Sequence, residues 1–435
     1  MDVSRRTLVK IGIAATATAS TPAIALSRAG AAFPSGFHWG AATAGHQIEG
    51  SNVNSDFWVL ENTKPTIFSV PSGDACNSLF LWEADLDLAK AIGLNAYRFS
   101  IEWSRIEPQP GQFSIAMLDH YKRVINGCRT RGMTPMVTFS HWTVPVWFAA
   151  RGGWTMADSA DLFARYCDRA MRHLGAEIGI AFTLNEPNGL LIALRMLPPQ
   201  VVEAQTAMLD AASKDHGVSH FVGGPAFGQI EEMLPNMLHA HRLGKAAIKA
   251  VRSDLPVGAT LAVSDEQAVG PRSKRDAMQQ AFYGAWIDNV KTDDFVGVQN
   301  YNRNVWTETG KLPPSPGATL SSEGNEIVPG SLAGAVRYVH EATKRPILVT
   351  EHGYYITDDA IRAKQLPLAL AELKRAMDEG VPVLGYVHWS LMDNFEWTSG
   401  YAPKLGLASV DPVTFQRTAK PSAAIYGRIA RQNAL

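Results

Sequence analysis

The sequence is poor in cysteine and has almost no net charge, and each shortage excludes a class of protein. Its 435 residues include three cysteines, Cys76, Cys128 and Cys167, which form no Cys-x-x-Cys pair and no cluster with histidine. We therefore expect no metal site. The odd count leaves at least one thiol without an intramolecular partner. The formal net charge is −1 and no basic run is present, which argues against a nucleic-acid partner.

The sequence also lacks an apolar run of the ~20 residues that a typical membrane-spanning helix needs. The nearest candidate, residues 11–26, is rich in Ala and Thr, is broken by Pro22 and follows Arg5 and Arg6. This arrangement resembles a bacterial twin-arginine export signal, and a short membrane anchor is the alternative. We expect residues 1–32 to be the signal. Residues 33–435 would then act in the periplasm, with no stable membrane insertion after signal removal.

Short β-prone runs alternate with longer helical stretches from residue 33 onward. Helical periodicity is clearest in Leu79–Ile92, which ends at Gly93, and recurs in residues 117–128, 162–174 and 366–377. The strand-like runs, eight in number, are Phe37–Thr43, Ala96–Ile101, Pro135–Ser140, Gly179–Asn185, Val257–Ser264, Phe295–Tyr301, Ile347–Glu351 and Val383–Leu391.

Eight strands that alternate with helices predict a parallel sheet, and eight is the number that closes a (β/α)8 barrel. An open doubly wound sheet is the alternative, but no Gly-x-Gly-x-x-Gly follows the first strand. We see no linker that would mark a second domain. The sequence therefore predicts a single (β/α)8 TIM barrel in the α/β class, with elaborated loops after several strands.

Polar and aromatic residues follow the predicted strands, at the ends that meet at one mouth of such a barrel. Two of them, Glu186 after the fourth strand and Glu351 at the end of the seventh, come from nearly opposite sides of the barrel. Two carboxylates that face each other across a ligand-sized gap are the arrangement that cleaves glycosidic bonds. The competing interpretation is that each carboxylate merely pairs with a cation such as Arg98. The surrounding amides and indoles favour an active site.

A set of short motifs runs in order from Phe37 to Asp411 and covers nearly the whole chain after residue 32. The most specific are an Asn-Glu-Pro strand end, a Thr-Glu-x-Gly strand end and the stretch WSLMDNFEW. The full set is FHWGAATAGHQIEG, YRFSIEWSRIEP, FSHWTVP, TLNEP, DFVGVQNY, VTEHG, and GYVHWSLMDNFEW followed by GYAPKLGLASVD. Together these motifs resemble family 1 of the glycoside hydrolases, the β-glucosidase family.

The resemblance implies a retaining glycosidase that needs no cofactor. It assigns Glu351 as the nucleophile and Glu186 as the general acid and base. It also places Arg98 and the phenol of Tyr301 beside the nucleophile, where both favour its ionised form. An ionised Glu351 would raise the pKa of Glu186 and keep it protonated until the substrate arrives. We further expect Pro187 to hold Glu186 in an extended geometry.

The resemblance also implies a set of ligands for the non-reducing sugar, made of mixed hydrogen-bonding groups and indole rings. Glu396 favours a non-phosphorylated glycone, because a carboxylate would repel a phosphate. The implied ligands are Asn185 for the 2-hydroxyl, Gln47, His141 and Glu396 for hydroxyls 3, 4 and 6, Trp389 as the floor, and Trp142 and Trp397 as the walls.

The chain departs from the family pattern at three places. Gln299, Asn300 and Tyr301 stand where Asn-Tyr-Tyr is usual, so the amide of residue 299 gains a methylene. We expect this longer amide to alter hydrogen bonding near the sugar 2-position. His352 stands where Asn is usual, and His46 where Tyr is common.

The sequence thus predicts an exported, retaining exo-β-glycosidase that acts on a small-molecule β-glycoside or an oligosaccharide. Two alternatives remain open: a transglycosylase that uses the same two Glu residues, and a sugar-binding barrel without catalysis. The aglycone would be held by the long loops at residues 188–255 and 302–345, which carry no motif that identifies it. Neither the preferred glycone nor the oligomeric state is indicated.

Overall fold

The computed structural model describes residues 32–435, so the predicted export signal lies outside the described residues except for Ala32. Eight parallel strands close into a barrel in the spatial order 1-8-7-6-5-4-3-2, and the predicted (β/α)8 fold is confirmed. The barrel strands are His38–Ala42, Ala96–Ser100, Thr134–Ser140, Ile180–Asn185, Val257–Ala262, Val296–Asn300, Ile347–His352 and Val383–Trp389.

Helices surround this barrel and fill the connections between its strands. They are α1 (Gly45–Ile48), α2 (Asp56–Asn62), α3 (Ser78–Ile92), α4 (Trp103–Ile106), α5 (Ile115–Thr130), α6 (Val146–Ala150), α7 (Ser159–Leu174), α8 (Gly189–Met196), α9 (Pro199–Asp215), α10 (Ile230–Val251), α11 (Arg275–Val290), α12 (Ser331–Thr343), α13 (Asp359–Asp378) and α14 (Pro421–Gln432). Short 3-10 turns occupy Gly153–Thr155 and Trp397–Ser399.

Local sequence signals explain where several helices begin and end. The side chain of Ser114 accepts a hydrogen bond from the backbone of Met117 and so caps the start of α5. Helix α3 ends at Gly93, whose φ of 103° is a left-handed conformation that glycine adopts without strain. Helix α13 begins seven residues before the predicted Leu366 and runs through Pro367.

Two apolar layers hold the barrel together. A compact inner cluster fills the space inside the strands and includes Met136, Phe182, Leu348 and Val387. A much larger outer cluster packs the other faces of the strands against the helices. Strand positions are therefore buried on both sides, as expected for a parallel sheet that is covered by helices.

The long connections of the barrel carry additional structure at the mouth. Residues Asp265–Ala268 and Arg303–Trp306 form a two-stranded parallel sheet beyond the fifth and sixth barrel strands, and Ala408–Val410 pairs with Arg417–Ala419. Helices α8 and α9 follow the fourth strand. Within residues 32–435, no helix is both long and apolar enough to cross a membrane.

Candidate active site

Two of the barrel strands shift register immediately before the residues that they deliver to the mouth. The pairing of the fourth strand with the fifth shifts between Phe182 and Asn185, and that of the sixth with the seventh shifts next to Glu351. Strict alternation from Phe182 and Leu348, which both face the barrel interior, would turn Asn185 and Glu351 outward. The irregularities re-aim both side chains into the mouth, which is a common use of bulges near active sites.

Arg98 joins these two re-aimed residues. Its Nη1 donates to Glu351 Oε1 at 2.5 Å, and its Nη2 donates to Asn185 Oδ1 at 2.5 Å. The other carboxylate oxygen of Glu351 accepts from the hydroxyl of Tyr301 at 2.5 Å. Because these side chains are largely withdrawn from water, the charges of Arg98 and Glu351 interact more strongly than surface charges would.

Glu186 lies at the same mouth but in an unexpected backbone conformation. Its φ is +43°, so the prediction that Pro187 holds it in an extended geometry is wrong. In an extended chain, consecutive side chains point to opposite faces, and Asn185 and Glu186 could not both enter the mouth. The left-handed conformation places both there, while the backbone amide of Glu186 donates to the carbonyl of Thr260 at 2.9 Å.

The environments of the two carboxyl groups differ in a way that separates their pKa values. Burial raises the pKa of Glu186 well above its usual range, and the charge of Glu351 raises it further. Burial also raises the pKa of Glu351, but Arg98 and the hydroxyl of Tyr301 oppose that shift. Glu351 is therefore the group that ionises first, and Glu186 is the group that keeps a proton.

The hydrogen bond between Asn185 and His141 fixes the tautomer of the imidazole. Asn185 Nδ2 donates to His141 Nε2 at 3.0 Å. Burial, with the charge of Arg98, holds the pKa of His141 well below its usual value, so the ring is neutral. A neutral ring that accepts at Nε2 carries its proton on Nδ1. That buried Nδ1 has no partner among the described residues and can donate to a ligand.

Indole and imidazole rings line the mouth in close succession. The ring of His141 stacks near Trp389 with centroids 5.6 Å apart, and lies 6.1 Å from Trp397. Trp142 lies 4.8 Å from Trp397, and its buried Nε1 has no partner in the described structure. Trp142 and Trp397 have positive φ values of 72° and 50°. Such conformations in bulky residues are strained and concentrate at functional sites.

Gln47 and Glu396 form a second polar group beside these rings. Gln47 Nε2 donates to the carbonyl of Phe395 at 2.8 Å, and its buried Oε1 has no partner among residues 32–435. Trp389 Nε1 donates to Glu396 Oε1 at 3.2 Å. Burial raises the pKa of Glu396 to about 8. The groups that bond its carboxyl, the Gln47 amide and the Trp389 indole, carry no positive charge that would attract a phosphate.

The residues that depart from the family pattern, Gln299, His46 and His352, lie in three different surroundings. Gln299 Nε2 donates to Asn185 Oδ1 at 2.7 Å, so the longer amide bonds directly to the group assigned to the sugar 2-hydroxyl. His46 lies behind the mouth and stacks on Trp397 with an interplanar angle of 5°. His352 is bonded through Nδ1 to the hydroxyl of Tyr386 at 2.8 Å rather than to the groups of the mouth.

Sequence reasoning missed two residues that the structure brings to the mouth. Thr260, in the fifth strand, donates from Oγ1 to Asn185 Oδ1 at 3.0 Å. A hydroxyl within the apolar run VGATLAVS was the available signal. Tyr355 lies 5.7 Å from Tyr301 between ring centroids. Burial and nearby carboxylates, Glu396 first among them, raise its pKa well above the usual value.

Neither a disulfide nor a metal-binding cluster of side chains is found among the described residues. Cys76, Cys128 and Cys167 are all buried free thiols, so no two of them form a disulfide. Burial raises the pKa of Cys128 to about 12, which keeps the thiol protonated. Across residues 32–435, no group of three or more His, Cys, Asp and Glu side chains is placed to hold a metal ion.

Comparison with known proteins places this barrel in a family. Residues 29–220 and 245–435 match the family described as Glycosyl hydrolase family 1. Beta-glucosidase A of Thermotoga maritima is 28% identical, with 93% of this chain and 98% of that protein covered. The solved structures of a beta-glucosidase 1317 and of beta-glycosidase BGL167 are 41% and 42% identical, each with a TM-score of 0.88. The match with beta-glucosidase 1317 covers 92% of this chain and 99% of that chain. The match with BGL167 covers 93% of this chain and 98% of that chain.

The fold and the mouth define a (β/α)8 protein with a pair of carboxyl groups in a polar pocket walled by indole rings. The family match extends over both long segments that contain these residues. The chain belongs to glycosyl hydrolase family 1.

Proposed function

We propose that the mouth cleaves terminal β-D-glycosidic bonds by double displacement, with Glu351 as the nucleophile and Glu186 as the acid and base. The protein is a retaining β-glycosidase of the β-glucosidase type, an O-glycosyl hydrolase. The observation that carries the residue roles is the asymmetry of the pair. Arg98 and Tyr301 both bond to the Glu351 carboxylate, whereas only burial and charge act on the Glu186 carboxyl among the described residues.

In the first step, the ionised Glu351 attacks the anomeric carbon while the glycosidic C–O bond breaks. The proton of Glu186 goes to the departing oxygen, so the aglycone leaves as a neutral alcohol. Arg98 and Tyr301 hold the attacking carboxylate in place and keep it ionised. The product of this step is a glycosyl ester on Glu351, which carries no charge.

Loss of that charge prepares the second step. The charge of Glu351 is one of the causes that raise the pKa of Glu186, so the pKa of Glu186 falls once the ester forms. Glu186 then accepts a proton from a water molecule, which attacks the anomeric carbon and releases Glu351. Two inversions give net retention of configuration.

The glycone follows from the ligands around the pair. Gln47, His141 and Trp142 each present a buried polar atom without a partner among the described residues, as a site for clustered hydroxyls requires. Glu396 lacks a cationic neighbour among the groups that bond it. We therefore propose a non-phosphorylated hexose such as glucose, galactose or fucose.

An aryl β-glucoside tests this function against both alternatives. Hydrolysis releases the phenol, and proton NMR of early time points should show the β-anomer of the free sugar first. A barrel that only binds sugar would release no phenol. A transglycosylase would yield mainly the alkyl glycoside when an alcohol is added. Glu351→Gln is the inactive control, and aryl glycosides of the gluco, galacto, fuco, manno and xylo series identify the glycone.

We also propose that residues 1–32 direct export to the periplasm. The support is Arg5 and Arg6 ahead of a weakly apolar stretch with small-residue cleavage sites. Fractionation of cells that express the full chain should place the enzyme in the periplasm. Replacement of both arginines by lysine should keep it in the cytoplasm, and unchanged export of that variant would refute the proposal.

A further inference from the structure

Asp56 lies behind the mouth and bonds three segments of the chain together. It is fully buried at the start of α2. Its Oδ1 accepts from the backbone amide of Val144 at 2.8 Å, and its Oδ2 accepts from the amide of Gly224 at 2.6 Å. The amide of Asp56 donates back to the carbonyl of Val144 at 3.0 Å. A single carboxylate thus connects the segment after the third strand with the long insertion after the fourth.

Both of the connected segments adjoin Trp142. Val144 is two residues beyond it, and Gly224 packs directly against its backbone. A Cβ atom at position 224 would lie 1.7 Å from the carbonyl oxygen of Trp142, so only glycine permits this contact. The φ of Trp142 is +72°, a conformation that a bulky residue keeps only when its surroundings impose it.

Phe57, the residue after Asp56, packs against both indole walls of the mouth. The ring of Phe57 lies 4.9 Å from Trp397 and 6.4 Å from Trp142, measured between centroids. It also lies 5.3 Å from Phe227, on the insertion that contains Gly224. Trp142 and Trp397 thus both pack against the residue that follows Asp56 in α2.

We propose that Asp56 is a positioning residue for the glycone pocket. Its hydrogen bonds to the amides of Val144 and Gly224 hold both segments in place, and these segments fix the position of Trp142. The inference rests on the proposed function, because it treats Trp142 as a wall of the sugar site. Asp56 contacts no reacting group. Its effect is therefore on binding of the sugar ring, with a smaller effect on the chemical step.

Asp56→Asn tests the clamp with almost no change of shape. An amide can accept one of the two backbone N–H groups, but its own NH2 must face the other. Loss of that one acceptor should raise the inhibition constant of deoxynojirimycin, a glucose-shaped inhibitor, and the KM of an aryl β-glucoside by about tenfold. Turnover of bound substrate should fall by less than about threefold.

Asp293→Asn is the matched control. Asp293 is also fully buried, and its carboxylate accepts a hydrogen bond from the backbone amide of Ala259 at 3.2 Å. The side chains of His241 and Lys245 bond to its other oxygen. Asp293 lies in the loop between α11 and the sixth barrel strand, and none of these hydrogen bonds involves Trp142. Its replacement should lower the melting temperature and leave the inhibition constant unchanged. A purely structural role of Asp56 would give this same result in Asp56→Asn and would overturn the proposal.

Gly224→Ala disturbs the contact between residue 224 and the backbone of Trp142 while leaving Asp56 intact. It should also raise the inhibition constant of deoxynojirimycin. If neither variant folds by circular dichroism, Asp56 serves global folding and the proposal is wrong. A wild-type enzyme that releases no phenol would refute the proposed function instead. An active wild type with normal binding in both variants would refute only the role of Asp56.

Discussion

Arg98 donates to Glu351 and to Asn185, at 2.5 Å each, so one guanidinium spans the mouth from the seventh strand to the fourth. It links the ionisation of Glu351, the proposed nucleophile, to the placement of the Asn185 amide, the proposed ligand of the sugar 2-hydroxyl. The two bonds come from two different nitrogens of one rigid, planar group, an arrangement that a single ammonium nitrogen does not provide.

Replacement of Arg98 by lysine should therefore weaken both the ionisation of Glu351 and the placement of Asn185. A lysine has one nitrogen where the guanidinium uses two, so it does not reproduce both bonds in this geometry, and we expect kcat/KM to fall at least about 100-fold. With less stabilisation of the carboxylate, the pKa of Glu351 rises, and the acidic limb of the pH–rate profile moves to higher pH. Arg417→Lys, which changes another buried pair at Asp85, should leave that limb in place. An unmoved limb in Arg98→Lys would contradict the account.

The coupling between the two carboxyl groups can be measured directly. In Glu351→Gln the negative charge that raises the pKa of Glu186 is absent, so that pKa should fall, as a carbon-13 NMR titration of labelled glutamate would show. Burial remains, so the value should stay above that of free glutamate. Glu49→Gln removes another buried carboxyl, bonded to Tyr121 and Arg105, and should have no effect on Glu186. An unchanged pKa of Glu186 in Glu351→Gln would show that the two groups are not coupled.

Gln299 offers a test of the 2-hydroxyl site. Gln299→Asn shortens the amide that donates to Asn185 at 2.7 Å, and the bond should be lost. We expect kcat/KM for an aryl β-glucoside to fall about tenfold, but by less than about threefold for the 2-deoxy analogue. Equal losses for the two substrates would mean that Gln299 acts elsewhere.

Glu396 should discriminate between hexoses that differ at carbon 6. We expect Glu396→Ala to reduce kcat/KM for β-glucosides by about 100-fold and for β-fucosides, which lack the 6-hydroxyl, by about tenfold. The comparison uses one variant and two substrates, so a general loss of folding cancels. A larger loss for the fucoside would contradict the assignment.

The order and approximate bounds of the elements could be read from the sequence because hydrophobic runs and glycine stops are local signals. The predicted fourth run, Gly179–Asn185, differs from the observed strand by one residue at its start. The strand ends that carry Glu186 and Glu351 could be read for the same reason.

What the sequence did not reveal depends on backbone geometry and on contacts between distant segments. The register shifts that turn Asn185 and Glu351 inward arise from pairing with neighbouring strands, and alternation alone would have pointed both outward. The left-handed backbone of Glu186 overrides the usual preference of a residue before proline. Asp56 and Gly224 meet across 168 residues, and no local pattern links them.

The central claim is that Glu351 forms a covalent bond with the sugar. Glu351→Gly removes the proposed nucleophile and should abolish turnover of an aryl β-glucoside, and added azide should restore phenol release by attack from the vacated side. The decisive measurement is the anomeric configuration of the glycosyl azide by proton NMR. The account predicts the inverted α-azide, and it would be contradicted by a β-azide or by a variant that keeps wild-type activity without azide.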